Sequence, residues 1–308
     1  MLLLIGGTGF LGEPVVELMM ARQLPIRLLT RGAGDWKGSN LSQYRKRGIE
    51  VVVGSLENDD VLLRALDGVD AIINISGSFR LNSDGSRASS YEYLNVELVE
   101  KLTVLAEQNG IQRFVQVSCL GAREESGSEY LSSKFTGDEI VRNSKLYWTI
   151  LRPSYMFGAR FPYVEMIKPL VTFKPCLPVV GSGLNILMPV HVDEVARCVV
   201  DCIYMKESTG RVIEIAGPKE YSLVEMLESI RFEFGLSGTT MTIPSQLSGK
   251  AFEMATKVLP KNTITLELAQ ILITDSHSSS KEAHELFGLE GKCLEDYLPD
   301  IVESLKKR

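Results

Sequence analysis

Two residues four positions apart, Tyr130 and Lys134, have side chains that could move a proton. On a helix they would lie one turn apart on the same face. A nearby ammonium stabilises tyrosinate and lowers the pKa of the phenol, so tyrosine becomes a usable acid or base near neutral pH. Lys134 could also hold a nicotinamide ribose. Ser118, at the end of a predicted strand, could orient a substrate oxygen, and the sequence therefore predicts a catalytic set of Ser118, Tyr130 and Lys134.

A glycine-rich run, GGTGFLG, extends from Gly6 to Gly12 between an apolar strand and a helix. Glycines let the backbone turn tightly and approach a pyrophosphate, and a helix N-terminus offers unpaired N–H groups. The run fits two spacings, GxxGxxG from Gly6 and GxGxxG from Gly7. The alternative is a glycine-rich turn without a ligand. The predicted cofactor contacts in this run are Gly6, Thr8, Gly9, Phe10, Leu11 and Gly12.

The end of the second predicted strand bears on the choice of dinucleotide. An NAD site places Asp or Glu there to accept a hydrogen bond from the ribose 2′-hydroxyl. This chain has Leu29, Thr30 and Arg31 instead, with no acidic residue before Asp35. A cation suits a 2′-phosphate, so the sequence favours NADP(H) over NAD(H). The alternative is a solvated loop arginine.

Two further strand ends complete the predicted cofactor site. Ser55 and Leu56 follow the third strand, where the adenine edge would lie, and Ser76 and Gly77 follow the fourth strand, beside the cofactor ribose. Both assignments rest on the rule that ligands of such sheets bind at the carboxyl ends of the strands. The alternative is that both are ordinary strand-end loops.

Strand-like and helix-like runs alternate through the first 150 residues, which predicts a parallel sheet covered on both faces. The expected fold is α/β, a Rossmann-type doubly wound parallel sheet with a smaller, mostly helical C-terminal region. We expect residues 1–153 plus about 187–217 to form the nucleotide-binding domain, and residues 154–186 plus 218–308 to form the capping, substrate or partner-docking region. Strands are predicted over 2–5, 25–30, 51–53, 71–75, 114–118, 148–151 and 211–215, and helices over 11–22, 61–66, 91–109, 130–143, 192–205 and 222–234.

Composition narrows the class of protein. The 308 residues are 44% hydrophobic and 23% charged, as in ordinary globular proteins. The net charge of −6 argues against a general nucleic-acid binder. Five scattered cysteines predict a reducing compartment and no disulfide framework. We expect no transmembrane segment and no signal or transit peptide, because no apolar run reaches about 18 residues and Met1 leads directly into a strand.

Several other residues could have either a functional or a purely structural role. His191 is expected to fix a strand–helix corner rather than to act as an acid, and Cys198 and Cys202 are expected in the core, so no metal site is predicted. The segment from Leu247 to Leu259 has an apolar helical stripe flanked by lysines. It could dock on a partner or a membrane surface, or it could face the core with a solvated lysine edge.

Several motifs together resemble the extended and atypical short-chain dehydrogenases/reductases. A closer similarity is to the nucleotide-binding accessory subunit of respiratory complex I and its stand-alone bacterial relatives, through FVQVSCLGA from Phe114 and YLSSKFTGDE from Tyr130. The matching motifs are Gly6 to Gly12, Asn95-Val96, Val117-Ser118, Tyr130 with Lys134, Leu151 to Ser154, Phe157-Gly158 and Pro189 to Ala196.

The resemblance implies a Rossmann fold that binds NAD(P)(H), with Pro153 and Ser154 bordering the nicotinamide. In the complex I subunit the nucleotide serves structure rather than turnover. Here Cys119, Leu120 and Gly121 follow Ser118 instead of a Ser/Thr-rich stretch. The first hypothesis is therefore an NAD(P)(H)-binding subunit or assembly factor with a structural or sensing cofactor. The second is an NADP(H)-dependent reductase, dehydrogenase or epimerase-type enzyme. Expected partners are the dinucleotide and a protein complex or membrane-associated partner, in the cytoplasm or an organelle interior, peripheral to a membrane complex.

Overall fold

The computed structural model describes residues 1–32, 41–77, 90–158, 162–244 and 270–306. The chain forms two compact units. The first comprises Met1–Pro153, Val192–Ile215 and Lys281–Leu289, and the second comprises Ser154–His191, Ala216–Ser280 and Glu290–Arg308.

The first unit is built on a seven-stranded sheet in which every neighbouring pair is parallel. Its strands are β1 (Leu2–Ile5), β2 (Ile26–Thr30), β3 (Glu50–Val53), β4 (Ala71–Asn74), β5 (Arg113–Val117), β6 (Tyr147–Pro153) and β11 (Arg211–Ile215). The strand order is β11-β6-β5-β4-β1-β2-β3. The order reverses between β1 and β4, which is where open α/β sheets bind ligands.

The connecting helices of this unit are α1 (Gly12–Ala21), α2 (Leu41–Lys46), α3 (Asp59–Leu66), α4 (Leu98–Gln108), α5 (Glu129–Asn143), α7 (Val192–Asp201) and α9 (Glu282–Phe287). Strands β1 and β4 are buried along their whole length because helices cover the sheet. Leu3, Ile72, Leu98, Phe114 and Ile150 belong to one apolar core cluster. The predicted Rossmann-type sheet is confirmed, including β11 at its edge.

Two helices differ from the prediction in this unit. The helix expected over 91–109 contains one π-helical stretch, Tyr93–Glu97, before α4 begins. Such bulges are rare and often occur at functional sites. The short helix α2 was not predicted, since its six residues carry too few turns to show a period.

In the described residues of the second unit there are three two-stranded sheets besides helices α6 (Pro162–Val171), α8 (Leu223–Glu233) and α10 (Leu298–Lys306). The pairs are β7 (Met156–Phe157) with β10 (Val190–His191), β9 (Ile186–Leu187) with β12 (Tyr221–Ser222), and β8 (Leu177–Val180) with β13 (Thr240–Ile243). The buried guanidinium of Arg231 donates to the carbonyl oxygens of Val171 and Phe173, both at 2.7 Å. These bonds tie α8 to the end of α6.

The two units differ from the predicted domains at three places, residues 187–191, residues 216–217 and residues 281–289. Residues 187–191 fall in the second unit because β10 pairs with β7. Residues 281–289 fall in the first unit because Arg211 bonds Glu282 at 2.8 Å and Arg197 donates to the carbonyl of Phe287.

The structure also places the remaining candidates. His191 is buried in the second unit, with its ring 5.2 Å from Phe157 and 4.3 Å from Tyr297, measured between ring centroids. Cys198 and Cys202 lie in the core, as expected. The stripe from Leu247 to Leu259 lies outside the described residues. Across the part of the chain that the structure describes, no helix has the length and apolar character needed to cross a bilayer.

Candidate functional site

The glycine run forms the turn between β1 and α1. Gly6 has a φ of +90°, a backbone conformation that favours glycine. Its Cα also lies against the end of β4, because a Cβ built there would be 2.8 Å from the backbone nitrogen of Ser76. The N–H of Gly9 donates back to the carbonyl of Gly6 at 3.0 Å, which closes the turn just before the helix begins.

Two glycines of this run have different packing. A Cβ on Gly12 would lie 2.4 Å from both the carbonyl oxygen of Gly6 and the carbonyl carbon of Gly7, so the start of α1 touches the turn. A Cβ on Gly9 would meet only the Gly6 carbonyl oxygen, at 3.3 Å. Gly12 is therefore required by the fold, whereas a side chain at Gly9 would need only a small shift of the Gly6 carbonyl. An open backbone at a helix N-terminus suits a pyrophosphate.

The loops after β2 and β3 hold the predicted ribose and adenine contacts. Arg31 is exposed directly after the buried Thr30, whose hydroxyl accepts a hydrogen bond from the N–H of Gly32 at 3.3 Å. In the next loop the Ser55 hydroxyl accepts from the N–H of Glu57 at 3.2 Å, and Leu56 is buried. Arg31 thus lies exposed at the end of β2, where an NAD-binding acidic residue would stand.

Lys134 is buried against the end of β4. Its ammonium donates two long hydrogen bonds, to the carbonyls of Ser76 at 3.4 Å and Val117 at 3.3 Å. Gly77 has a φ of +146°, and a Cβ built on it would lie 2.7 Å from Lys134 Nζ. Burial lowers the pKa of Lys134 because it disfavours the charged amine. The lysine thus lies at the strand end where the sequence predicted a ribose contact.

Asn95, inside the π-helical stretch, also lies close to Gly77. Its side-chain amide donates to the Ser133 hydroxyl at 2.9 Å. Its carbonyl oxygen Oδ1 is buried and has no hydrogen-bond partner among the described residues. A Cβ on Gly77 would lie 3.5 Å from that atom. The Gly77 backbone is therefore flanked by an unsatisfied acceptor and an ammonium, which together match the hydroxyl groups of a ribose.

Tyr130 lies one turn before Lys134 on α5 and is nearly buried. Its ring packs edge-on against Tyr91, with 5.5 Å between the ring centroids. Burial raises the pKa of Cys119 to about 12, and the nearby Lys134 opposes that shift. The Cys119 thiol is therefore protonated near neutral pH.

A buried carboxylate, Asp138, comes one turn after Lys134. Its Oδ2 accepts hydrogen bonds from Arg152 Nη2 at 2.8 Å, from Arg152 Nε at 2.9 Å and from the Ser118 hydroxyl at 2.9 Å. Its Oδ1 has no hydrogen-bond partner in the described residues. Burial raises the pKa of Asp138, while Arg152 and Ser118 lower it. Ser118 therefore points to Asp138, and its assignment as the substrate-orienting residue stays a prediction.

The last two predicted cofactor contacts belong to different units. Pro153 ends β6 in the first unit, whereas Ser154 begins the second, where its hydroxyl donates to the Ser276 carbonyl at 2.9 Å. Among the described residues no group of acidic, cysteine and histidine side chains could hold a metal ion.

Four side chains at the site were not assigned a role from the sequence, namely Asn95, Cys119, Asp138 and Arg152. Asp138 follows Tyr130 by eight residues and Lys134 by four, so helical spacing could have placed it on the same face. Nothing in the sequence showed that the Ser118 hydroxyl donates to Asp138.

Comparisons with known proteins agree with this geometry. Residues 6–166 match the family model described as NAD(P)H-binding. A mitochondrial subunit from Arabidopsis thaliana, NADH dehydrogenase [ubiquinone] 1 alpha subcomplex subunit 9, is 30% identical over 226 residues, covering 72% of this chain and 55% of that protein. The chain thus spans about half the length of that relative.

Two further matches cover nearly the whole chain. The NAD(P)H azoreductase of Xenophilus azovorans is 22% identical over 307 residues, covering 100% of this chain and 92% of that protein. A crystal structure of dTDP-glucose 4,6-dehydratase from Bacillus anthracis in complex with NAD aligns with a TM-score of 0.72 at 20% identity, over 100% of this chain and 96% of that chain. At that identity the structural likeness shows the fold alone.

The glycine turn, the Tyr130–Lys134 pair and the matched family model lead to one assignment. The chain belongs to the NAD(P)H-binding family, as an atypical short-chain dehydrogenase/reductase that resembles the complex I subunit.

Proposed function

We propose that this protein holds NAD(P)(H) as a structural or sensing cofactor and docks on a protein complex, as a complex I subunit-like component or assembly factor. The observation that carries this proposal is the bond from the Ser118 hydroxyl to Asp138. A serine hydroxyl has one proton to donate, and here the proton is already engaged by a buried carboxylate. The Ser118 hydroxyl is therefore not placed to donate to a substrate oxygen, although the site keeps the features that hold a dinucleotide.

The residues that would hold the cofactor are distributed along the carboxyl edge of the sheet. The turn from Gly6 to Gly12 would take the pyrophosphate, and Lys134 with Asn95 would take the nicotinamide ribose. A bound nicotinamide supplies or accepts a hydride. Tyr130 and Lys134 on their own would hold or move a proton, and the Gly77 backbone keeps the space beside Lys134 free of a side chain.

A second candidate function is an NADP(H)-dependent reductase, and the intact Tyr130–Lys134 pair favours it. In that case the Tyr130 hydroxyl would give its proton to a substrate oxygen, and a bound NADPH would supply the hydride for the substrate carbon. The similarity to an azoreductase over the whole chain supports the same candidate. The buried ammonium of Lys134 would stabilise the tyrosinate left behind.

Native mass spectrometry of the protein as purified, with the nucleotide identified after denaturation, separates these functions. We expect one NADP(H) per chain that survives purification and is not oxidised by a panel of carbonyl compounds. In the enzyme case the nucleotide exchanges and turns over, and Tyr130→Phe abolishes turnover with little change in nucleotide affinity. Turnover that persists in Tyr130→Phe would remove this residue from the mechanism.

The preference for NADP(H) is proposed from Arg31. A charge-assisted contact to a 2′-phosphate contributes about 1.5–3 kcal/mol. We therefore expect Arg31→Ala to weaken NADPH binding by roughly 10- to 100-fold and to leave NADH binding nearly unchanged. Calorimetric titration with both nucleotides measures this difference. An NADPH preference that survives the substitution would show that Arg31 does not read the phosphate.

The proposed location follows from the same resemblance. The Arabidopsis relative is a mitochondrial subunit of NADH dehydrogenase. A related role here would place the protein in the cytoplasm or in an organelle interior, at the periphery of a membrane complex.

A further inference from the structure

Ser118 follows directly on a residue that contacts Lys134. The Lys134 ammonium donates to the Val117 carbonyl at 3.3 Å, and the Ser118 N–H donates to the Leu151 carbonyl at 2.8 Å. The Ser118 side chain is buried, and its hydroxyl donates to Asp138 Oδ2 at 2.9 Å. Ser118 therefore has a position from which a hydroxyl could serve the site, but its proton is already engaged.

The carboxyl group of Asp138 is oriented towards two partners at once. Arg152 donates from Nη2 at 2.8 Å and from Nε at 2.9 Å to the same oxygen, Oδ2, that accepts from Ser118. A bidentate arginine–carboxylate pair would use both oxygens. Here Oδ1 is buried and has no hydrogen-bond partner in the described residues, so a proton on this carboxyl group would lie on Oδ1. Oδ2 therefore stays an acceptor, and Ser118 is the donor of the bond between them.

The strength of this bond determines how often the Ser118 hydroxyl can meet a ligand. A hydrogen bond to a charged group is roughly twice as strong as one between neutral groups. Because Asp138 and Ser118 are both buried, bulk water does not replace the donor to Oδ2 when the hydroxyl turns away. The Asp138 carboxylate therefore keeps the Ser118 proton from a ligand beside Lys134.

Other polar groups near Lys134 are not engaged in this way. Among the described residues Lys134 Nζ makes two long hydrogen bonds, of 3.3 and 3.4 Å, to backbone carbonyls, and the buried Asn95 Oδ1 has no hydrogen-bond partner. Both atoms lie near Gly77, where a side chain would collide with the ammonium. Buried polar groups are normally satisfied, so this unmet capacity indicates polar atoms of a bound molecule. The Ser118 proton, by contrast, is engaged within the fold.

We propose that Asp138 is a positioning residue that holds the Ser118 hydroxyl away from ligands and thereby keeps a carbonyl reductase activity of the Tyr130–Lys134 site low. This inference rests on the proposed nucleotide-binding function, and it explains how a chain with an intact pair can carry a cofactor that is not consumed. In the reaction held back, a carbonyl carbon takes a hydride from NADPH, leaving NADP⁺, and its oxygen takes the Tyr130 proton, which solvent then replaces. A freed Ser118 hydroxyl would donate to the same oxygen.

The first test measures the Ser118–Asp138 bond and needs neither nucleotide nor substrate. We expect Ser118→Ala to lower the melting temperature by several degrees, because a buried carboxylate loses a donor. In the Asp138→Asn background the loss should be about half as large, because the acceptor is neutral. Thr136→Ala is the control on the same helix. It removes an exposed hydroxyl that donates to a backbone carbonyl at 3.1 Å, and it should not lower the melting temperature.

The second test measures rates. We expect Asp138→Asn to raise kcat for NADPH-dependent reduction of benzaldehyde and acetophenone by about fivefold to tenfold, because a weaker bond frees the Ser118 hydroxyl more often. Asp138→Ala, which removes the acceptor, should give a larger gain. The KM for NADPH should stay within about twofold, because the change acts through Ser118. A rate that becomes measurable from a wild-type rate below detection counts as the gain.

Two further variants show whether the gain depends on Ser118. Adding Ser118→Ala to either Asp138 variant should remove the gain. Glu139→Gln is the matched control, an acid-to-amide change at the next position of α5. Its carboxylate forms an exposed pair with Arg142 at 2.7 Å, so this variant should show no gain.

Three results would overturn this inference. One is the absence of any gain in folded Asp138→Asn and Asp138→Ala proteins. Another is a gain that survives Ser118→Ala, because Asp138 would then act by a different route. The third is a Ser118→Ala protein as stable as wild type, a result that does not depend on the folding of the Asp138 variants. Native mass spectrometry measures the nucleotide content of every variant. An empty wild-type protein would refute the structural-cofactor function, while the melting test still decides whether Asp138 holds Ser118.

Discussion

Replacing Gly9 by alanine should weaken NAD(P)H binding by roughly 100-fold or more, while the melting temperature of the nucleotide-free protein falls by no more than ~2 °C. In the free protein the added methyl group meets only the Gly6 carbonyl oxygen, at 3.3 Å, and a small shift relieves that contact. In the complex the same methyl group stands where the pyrophosphate approaches the backbone. Calorimetric titration and thermal unfolding of the same preparation measure the two effects.

Gly12→Ala is the matched control within the same turn. Its methyl group would lie 2.4 Å from backbone atoms of Gly6 and Gly7, so the turn and α1 must separate. Overpacking of this kind costs roughly 1–3 kcal/mol, and we expect the control to lose both binding and several degrees of melting temperature. Wild-type affinity in Gly9→Ala would mean that the phosphates do not lie against this turn.

The parallel sheet could be predicted from the sequence because buried parallel strands are continuous apolar runs. LLLI in β1 and AII in β4 are such runs, and in the structure both strands are buried throughout. Strands β7, β9, β10 and β12 have two residues each. Two residues show no alternation, so their pairing depends on contacts with residues distant in the chain.

The sequence predicts those parts of the site that local helix geometry determines. Tyr130 and Lys134 share a face of α5 because helical residues four apart always do. The direction of Ser118 was not predictable in this way. Strand β5 ends at Val117, so the alternation of sides no longer decides where Ser118 and Cys119 point. The direction of Ser118 depends on Asp138, which accepts its hydrogen bond and pairs with Arg152 across 14 positions of the chain.

The second large effect is expected for Lys134→Met. This substitution should stabilise the nucleotide-free fold and weaken NAD(P)H binding. The wild-type ammonium is buried and makes only two hydrogen bonds, of 3.3 and 3.4 Å, to carbonyl oxygens. Methionine removes the cost of burying that charge, so unfolding of the nucleotide-free protein should require about 1–4 kcal/mol more free energy. Binding of NAD(P)H should fall by about tenfold or more, because the donor to the ribose is lost. If Lys134 had a purely structural role, Lys134→Met would instead lower the free energy of unfolding.

Lys101→Met is the matched control for removing a lysine. Lys101 forms an exposed ion pair with Asp59 at 2.6 Å. Such pairs contribute little to stability, so this change should alter the free energy of unfolding by less than about 1 kcal/mol and leave nucleotide binding unchanged. A loss of stability in Lys134→Met together with unchanged binding would contradict the assignment of Lys134 to the ribose.

The pH dependence of Lys134→Met provides a separate check on the same residue. Burial lowers the pKa of Lys134 below 10.5, so at pH values between the folded-state pKa and 10.5 the unfolded chain binds a proton that the folded protein has lost. Wild-type stability therefore rises with pH across that window relative to the variant, by about 1.4 kcal/mol per pH unit while the difference in bound protons is complete. The advantage of methionine should be largest below the folded-state pKa and shrink towards pH 10.5. Denaturant unfolding of both proteins at several pH values measures this trend, and a gap that is constant with pH would mean that the Lys134 amine carries the same charge in both states.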